Sequence, residues 1–264
     1  MKENSQVTIH QEENFQSMRK AGELAAFVLD YITDYVKPGI TTDELNTLCH
    51  DKIIENGAIP APLNYRGFPK SICTSINHVV CHGIPGNRKL NEEDIVNIDV
   101  TVILNGWHGD TSRTYFVSKK PPVKAKRLVE VTYEAMMRGI EVVKPGIPLY
   151  EIGRAIQEYV ERFGYSSVRE YCGHGIGKEF HTAPSILHYY DEKNDLILQK
   201  GMFFTVEPMI NAGTWETRLL NDGWTVVTKD NSLSAQFEHT IGVTDNGYEI
   251  FTKSPKGYTH PHYF

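Results

Sequence analysis

The chain has 264 residues, 40% of them hydrophobic and 23% charged, a balance that excludes a disordered, collagen-like or coiled-coil protein. Its formal charge of −6 argues against tight nucleic-acid binding as the main function. No apolar stretch follows Met1-Lys2-Glu3-Asn4-Ser5 and no run of about 18 apolar residues occurs anywhere, so the sequence predicts a cytoplasmic protein that is neither secreted nor membrane-spanning.

Phe15, Met18, Leu24, Ala25, Val28 and Ile32 recur at helical spacing before a stop at Pro38-Gly39. Thr41 with Glu44 is a capping-box signature, and Leu45, Leu48 and Ile53 continue a second apolar stripe. Ile95 to Leu104 predicts a strand, Asn105-Gly106 a tight hairpin turn, and Trp107 to Val117 the returning strand. Pro122 to Val143 and Leu149 to Phe163 then read as another pair of helices, followed by a β-rich remainder. Cys49, Cys73, Cys81 and Cys172 contain no C-x-x-C pair and read as reduced thiols.

This order is written twice. Val36-Lys37-Pro38-Gly39-Ile40 returns as Val143-Lys144-Pro145-Gly146-Ile147, 107 residues later, and the pattern of Leu90 to Asp99 returns 108 residues later as Leu198 to Glu207. Helices in pairs and strands in runs predict an α+β fold, two halves sharing a largely antiparallel sheet about a pseudo-twofold axis. No linker separates them, so residues 1–264 are expected to form one catalytic domain, with repeats at about 10–118 and 122–250 and a short tail, 251–264.

Carboxylates interrupt strands that should be apolar. With Asn105 and Gly106 as the turn, Asp110 lies opposite Thr101, and Asp99, two residues from Thr101, shares its face. The two acids become diagonal neighbours about 7–8 Å apart at Cα. Burying two ionised carboxylates side by side costs several kcal/mol each, so either a cation joins them or one holds a proton. Glu207 interrupts Met202 to Val206 in the same way, and Glu238 follows Phe237, provided that an insertion around Asn211 to Leu220 is allowed. His174, between Gly173 and Gly175, adds a nitrogen. Taken singly, Asp110 reads equally well as a turn acid, and a glycine-flanked histidine more often as a structural one. The equivalent placement of Asp99 and Glu207 is what points to a pair of divalent ions held by Asp99, Asp110, His174, Glu207 and Glu238. Glu179 stands where a phosphate-binding loop needs Ser or Thr, and neither H-E-x-x-H nor G-x-S-x-G occurs.

The strings Ser75-Ile76-Asn77, Val80 to Pro85, Asn97-Ile98-Asp99, Gly109 to Thr114, Gly173 to Gly177, Phe180-His181, Val206-Glu207-Pro208 and Glu238-His239-Thr240 together resemble type I methionine aminopeptidase, from about Val36 to Val243. The resemblance implies the pseudo-symmetric pita-bread fold with a curved sheet. It also implies two divalent metal ions (Fe, Mn, Co or Zn), one chelated by Asp99, both bridged by Asp110 and Glu238, the other held by His174 and Glu207. The implied reaction is removal of the initiator methionine from nascent polypeptides. In it Glu207 shuttles a proton, His181 stabilises the developing oxyanion and His82 hydrogen-bonds the amide nitrogen of the next residue.

The family's methionine pocket maps to Tyr65, Phe68, Cys73, Phe180 and Trp224, apolar and polarisable groups suited to a thioether. The chain departs from the family at Pro62, often Cys, at Phe68, often Tyr, and at His78, where an acid is common. His50, His78, His188, His260 and His262 match no family ligand. His188 is expected at the surface and His260-Pro261-His262 as a disordered end.

Lys119, Lys120, Lys124, Lys126 and Arg127 form a basic run that reads first as a solvated face and second as a weak ribosome contact. A monomer is expected. The competing readings are a prolidase or Xaa-Pro aminopeptidase on the same fold, and a non-catalytic pita-bread protein that binds RNA or protein.

Overall fold

The computed structural model describes residues 7–261 and 263; Met1–Ser5 and His262, singled out in the sequence, lie outside them. Its helices are α1 (Glu12–Ile32), α2 (Thr42–Glu55), α3 (Val123–Glu141) and α4 (Tyr150–Glu161). The strands are β1 (Ile59–Pro60), β2 (Cys73–Ile76), β3 (Val79–Cys81), β4 (Ile95–Leu104), β5 (Trp107–Phe116), β6 (Ser166–Ser167), β7 (Gly173–Gly175), β8 (Thr182–Ile186), β9 (Phe203–Val206), β10 (Met209–Asn211), β11 (Thr217–Leu219), β12 (Val226–Thr228), β13 (Ser234–Gln236), β14 (Glu238–Val243) and β15 (Tyr248–Ile250).

The β4–β5 hairpin turns at Asn105 (φ 51°) and Gly106 (φ 80°), the doubly left-handed turn that an Asn-Gly pair adopts most cheaply. It pairs Thr101 with Asp110, the register expected from the turn. The main sheet runs β1-β4-β5-β14-β9-β7-β8, with β2 also on β4 and β15 on β14, and each of these pairs is antiparallel. The order β4-β5 then β14-β9 is that of two hairpin-like halves meeting at β5 and β14. β9 repeats β4 at a distance of 108 residues and holds the equivalent place in the second half, so Asp99 and Glu207 are equivalent positions. This is the α+β, pseudo-twofold pita-bread fold.

Strand periodicity separates the two faces of the sheet. On β4, Val96, Ile98, Val100 and Val102 enter a core with Val28, Leu29 and Ile32 of α1 and Leu45, Cys49 and Ile53 of α2. On β9, Phe204 and Val206 enter the matching core with Leu128 and Met136 of α3 and Ile152 and Ile156 of α4. Each such side chain contributes about 1.5–3 kcal/mol on leaving water. The alternate residues, Asn97, Asp99 and Thr101 on β4 and Thr205 followed by Glu207 on β9, are left for the opposite face.

The capping box of α2 forms as expected: the Glu44 N–H donates to Thr41 Oγ1 (3.1 Å) and the Thr41 N–H to Glu44 Oε2 (2.8 Å). The insertion expected around Asn211 to Leu220 is a larger excursion from Met209 to Gln236. It builds two small sheets, β13-β10-β6 and β11-β12-β3.

The tail corrects the sequence reading. Phe251 is buried against Phe15 and Phe203, Ser254 donates to Asp30, His260 packs edge-on against Tyr133 and Pro261 is buried, because α1 offers the tail a buried carboxylate and α1, α3 and β9 offer it aromatic rings.

Candidate active site and metal centre

A row of polar side chains crosses the face of the sheet turned away from the helices. Asp99 on β4 pairs with Ser112 on β5, and Ser112 with Glu238 on β14, so all three point the same way, as does Asp110 two residues from Ser112. His239 pairs with Val206, and continuing that register by one residue sets Glu207 beside Glu238. His174 on β7 comes next, its N–H donating to Thr205 Oγ1 at 3.0 Å. Close strand approach needs the flanking glycines: a Cβ on Gly173 would lie 2.4 Å from the Thr205 carbonyl oxygen, and one on Gly175 2.1 Å from that of Ala183.

Asp110, His174 and Glu238 bring ligand atoms within 4.8 Å of one another. His174 Nε2 lies 3.6 Å from both Asp110 Oδ2 and Glu207 Oε1. A carbonyl can only accept, so the 3.1 Å contact of His174 Nδ1 with the Gly175 oxygen places a proton on Nδ1 and turns Nε2 towards the acids. Thr101 donates to Asp110 Oδ1 (2.7 Å), Thr205 to Glu207 Oε1 (2.8 Å) and Gln236 to Glu207 Oε2 (3.3 Å).

Burial, then the charges of Asp110 and Glu207, push the Asp99 carboxyl well above its ordinary range. Burial does the same for Glu238, helped by Asp110, Glu207 and Asp99. Glu207 rises to about 7, burial outweighing the attraction of His174. Burial lowers His174, but Asp110 and Glu207 prevail and raise it. Carboxyls so placed either hold protons or share a cation, and four carboxyls with one imidazole are a donor set that fits divalent ions.

These five residues lie on one wall of a cavity of about 340 Å³ that also touches every other residue singled out as a candidate: His82, His181, Tyr65, Phe68, Cys73, Phe180 and Trp224. Cys73 reaches it because β2 pairs it with Asp99. Phe68 meets Trp224 edge to face with ring centres 5.1 Å apart, and Tyr65 meets Phe180 at 4.9 Å. Trp224 is held by a turn in which Asp222 accepts the N–H groups of Trp224 and Thr225. His82 has a left-handed backbone (φ 55°), a sparsely populated conformation for a side chain of this size, which turns its ring to the cavity between Tyr171 and Trp224. Burial lowers the pKa of His82, and lowers that of His181 to about 3.

Sequence reasoning missed several contributors. Thr205 and Gln236 each sit two residues before an acid, so strand parity alone could have found them. Arg66, Glu170, Tyr171, Cys172 and Met209 also touch the cavity, as does Pro62, which the sequence had marked as a departure in the pocket. His188, expected at the surface, is buried, its Nε2 accepting the backbone N–H of Glu207. No spacing signalled this, because the loop after β8 folds back beneath the site. His50 instead bonds Ser71, and His78 is exposed.

The sequence matches metallopeptidase family M24 over residues 16–245. It is 64% identical to a methionine aminopeptidase of Rickettsia prowazekii over 97% of this chain and 99% of that one. It is 56% identical to that of Escherichia coli K12 over 93% and 94%. A crystal structure of the Rickettsia prowazekii methionine aminopeptidase superposes with a TM-score of 0.92, covering 94% of this chain and 100% of the other. The chain thus belongs to metallopeptidase family M24, and within that family to the methionine aminopeptidases. It is therefore a metal-dependent exopeptidase. No helix among the described residues is long and apolar enough to cross a membrane, and the four cysteines are free thiols.

Proposed function

We propose that this enzyme removes the initiator methionine from nascent proteins by hydrolysing their first peptide bond. The observation that carries this is the convergence of Asp99, Asp110, His174, Glu207 and Glu238 on one wall of a cavity whose other wall is aromatic. Asp99 would hold one ion, Asp110 and Glu238 would bridge two, and His174 with Glu207 would hold the second. Two divalent ions, whether Fe, Mn, Co or Zn, would supply Lewis acidity, acidifying water and polarising the carbonyl.

The chain's own groups do the rest. Tyr65, Phe68, Cys73, Phe180 and Trp224 receive the thioether and exclude water around it. Glu207, oriented by Thr205 and Gln236, takes and returns a proton. His181 donates to the carbonyl oxygen as negative charge develops there, and His82 engages the nitrogen of the following residue. Both imidazoles are neutral at physiological pH because their enclosure disfavours charge.

The one catalytic domain, residues 1–264, is read as a cytoplasmic monomer whose partners are emerging N-termini. Lys119, Lys120, Lys124, Lys126 and Arg127 are all exposed and offer the ribosome a weak contact. The test is a titration of metal-stripped enzyme with each divalent ion while Met-Ala-Ser and an Xaa-Pro peptide are offered. Metal-dependent release of Met from the first alone is expected; cleavage of the second alone would move the chain to the prolidase reading, and no cleavage of either to the binding-protein reading.

A further inference from the structure

The Tyr65 hydroxyl lies 3.0 Å from Nδ1 of His181, joining residues 116 positions apart in the two halves of the chain. Their rings are inclined by only 28° with centres 5.2 Å apart, and Phe180 packs against both. The turn that presents Tyr65 is built at a cost: Asn64 (φ 66°), Arg66 (φ 49°) and Gly67 (φ 90°) are left-handed, a conformation that Gly and Asn tolerate and that Arg66 disfavours. The main-chain groups of Tyr65 are satisfied within the turn, its N–H by Pro62 and its carbonyl by Phe68. Its hydroxyl has His181 as its one hydrogen-bond partner among the described residues. The His181 ring lies against Phe180 and His174, with ring centres 4.0 and 4.1 Å apart, and in its neutral form what bonds Nδ1 decides where the single ring proton sits.

We propose that the Tyr65 hydroxyl donates to Nδ1 of His181, fixing the tautomer with its proton on Nε2, so that Nε2–H donates a hydrogen bond to the carbonyl oxygen of the bond being cleaved. This rests on the aminopeptidase reading above and adds a positioning role to a residue otherwise read as pocket wall. With the opposite polarity, Nδ1–H donating to the phenol, Nε2 would be an acceptor and would repel a developing oxyanion. A phenol is also the better donor of the two groups. Among the described residues Nε2 has no hydrogen-bond partner, which leaves it available to substrate.

Tyr65→Phe removes the hydroxyl and keeps the ring against Phe180. With Met-Ala-Ser, kcat is expected to fall about tenfold, the worth of one hydrogen bond near the top of its usual range, while KM changes less than about twofold. Introduced into His181→Ala, the same change should have no further effect, since Tyr65 acts through His181. A rise in KM at constant kcat, or effects that multiply in the double variant, would overturn the proposal. A second readout does not depend on turnover: ¹⁵N spectra of the histidine rings, with His181 identified by its loss in His181→Ala. Expected is a protonated Nε2 and bare Nδ1 in the parent chain, relaxing to a tautomer mixture in Tyr65→Phe. A proton on Nδ1 in the parent chain sinks the proposal whether or not Met-peptides are cleaved; absence of cleavage with the expected spectrum sinks only the aminopeptidase reading.

Discussion

Nε2 of His188 accepts the backbone N–H of Glu207 at 3.1 Å, so a histidine with no place in the cavity holds the main chain of a candidate metal ligand. As an acceptor that nitrogen carries no proton, which puts the proton on Nδ1, a buried atom with no partner among the described residues. Burial drives the ring's pKa to about 3, keeping it neutral and able to accept.

Replacing His188 by Ala leaves the Glu207 N–H buried and unpaired at a cost of about 1–3 kcal/mol, besides the cavity. His188→Ala should lower the melting temperature by several degrees and reduce kcat, as Glu207 loses one of its three anchors. His188→Gln, whose amide oxygen can accept the same N–H, should recover part of both. Thermal melts and Met-peptide kinetics check this; equal loss in the two variants would mean that ring volume matters and the hydrogen bond does not.

Asp110→Asn separates the chemistry of the site from its folding. The side chain keeps its shape, but one oxygen becomes an NH₂ group that cannot bind a cation, and activity should fall at least about 100-fold. The metal-free variant should also be more stable than the parent chain near pH 8, because the Asp110 charge is among the causes raising Asp99, Glu207 and Glu238. Near-normal turnover would refute the role given to Asp110, and a destabilised metal-free variant would refute the electrostatic argument.

How much of this was legible in the sequence depended on periodicity. Asp99 and Glu207 could be found because each interrupts an apolar strand at the equivalent position of a repeated half, and Asp110 because an Asn-Gly turn fixes register to the residue. The contact of Tyr65 with His181 and the burial of His188 were not legible. They arise from loops whose paths are set by packing across the two halves, and no local pattern encodes that. The ordered tail was missed for the same reason, since its anchor, Asp30, sits 224 positions before Ser254.

Stripping metal should give the protein a stability that falls with rising pH above neutrality. Asp99 and Glu238 are held well above their ordinary range and Glu207 at about 7, so the folded chain binds more protons there than the unfolded one, and stability is lost as pH rises through those values. His181, His188 and His239, each lowered to about 3, act in the opposite sense: their contribution is present above the unfolded value of about 6.5 and lost as pH falls below it. Just above neutrality, between about pH 7 and 8, Glu207 and the raised His174 retain a falling slope, with Asp99 and Glu238 acting in the same sense. Melts of chelator-treated protein should therefore decline across that interval, and saturating Mn²⁺ should abolish the decline by replacing protons with cations. A flat profile without metal would show that the carboxyls do not share a buried site.

Asp30 and Arg113 test the frame behind the site. Arg113 pairs with Ile98 in the sheet and so points to the helix side, where its Nη1 lies 2.6 Å from Asp30 Oδ1 of α1, both side chains at most 5% exposed. Asp30 also accepts the Ser254 hydroxyl and the Lys256 N–H, tying the tail to the same charge. Asp30→Asn leaves a buried guanidinium without its counter-charge, a loss of about 3–5 kcal/mol. At about 2–4 °C per kcal/mol for a chain of this size, melting should fall by roughly 10 °C. Removing both charges, Asp30→Asn with Arg113→Met, should cost less than Asp30→Asn alone, because no unpaired charge remains and the Asn oxygen can still accept from the tail. Urea or thermal unfolding of the three proteins decides this, and a double variant weaker than the single would show that the pair itself stabilises the fold.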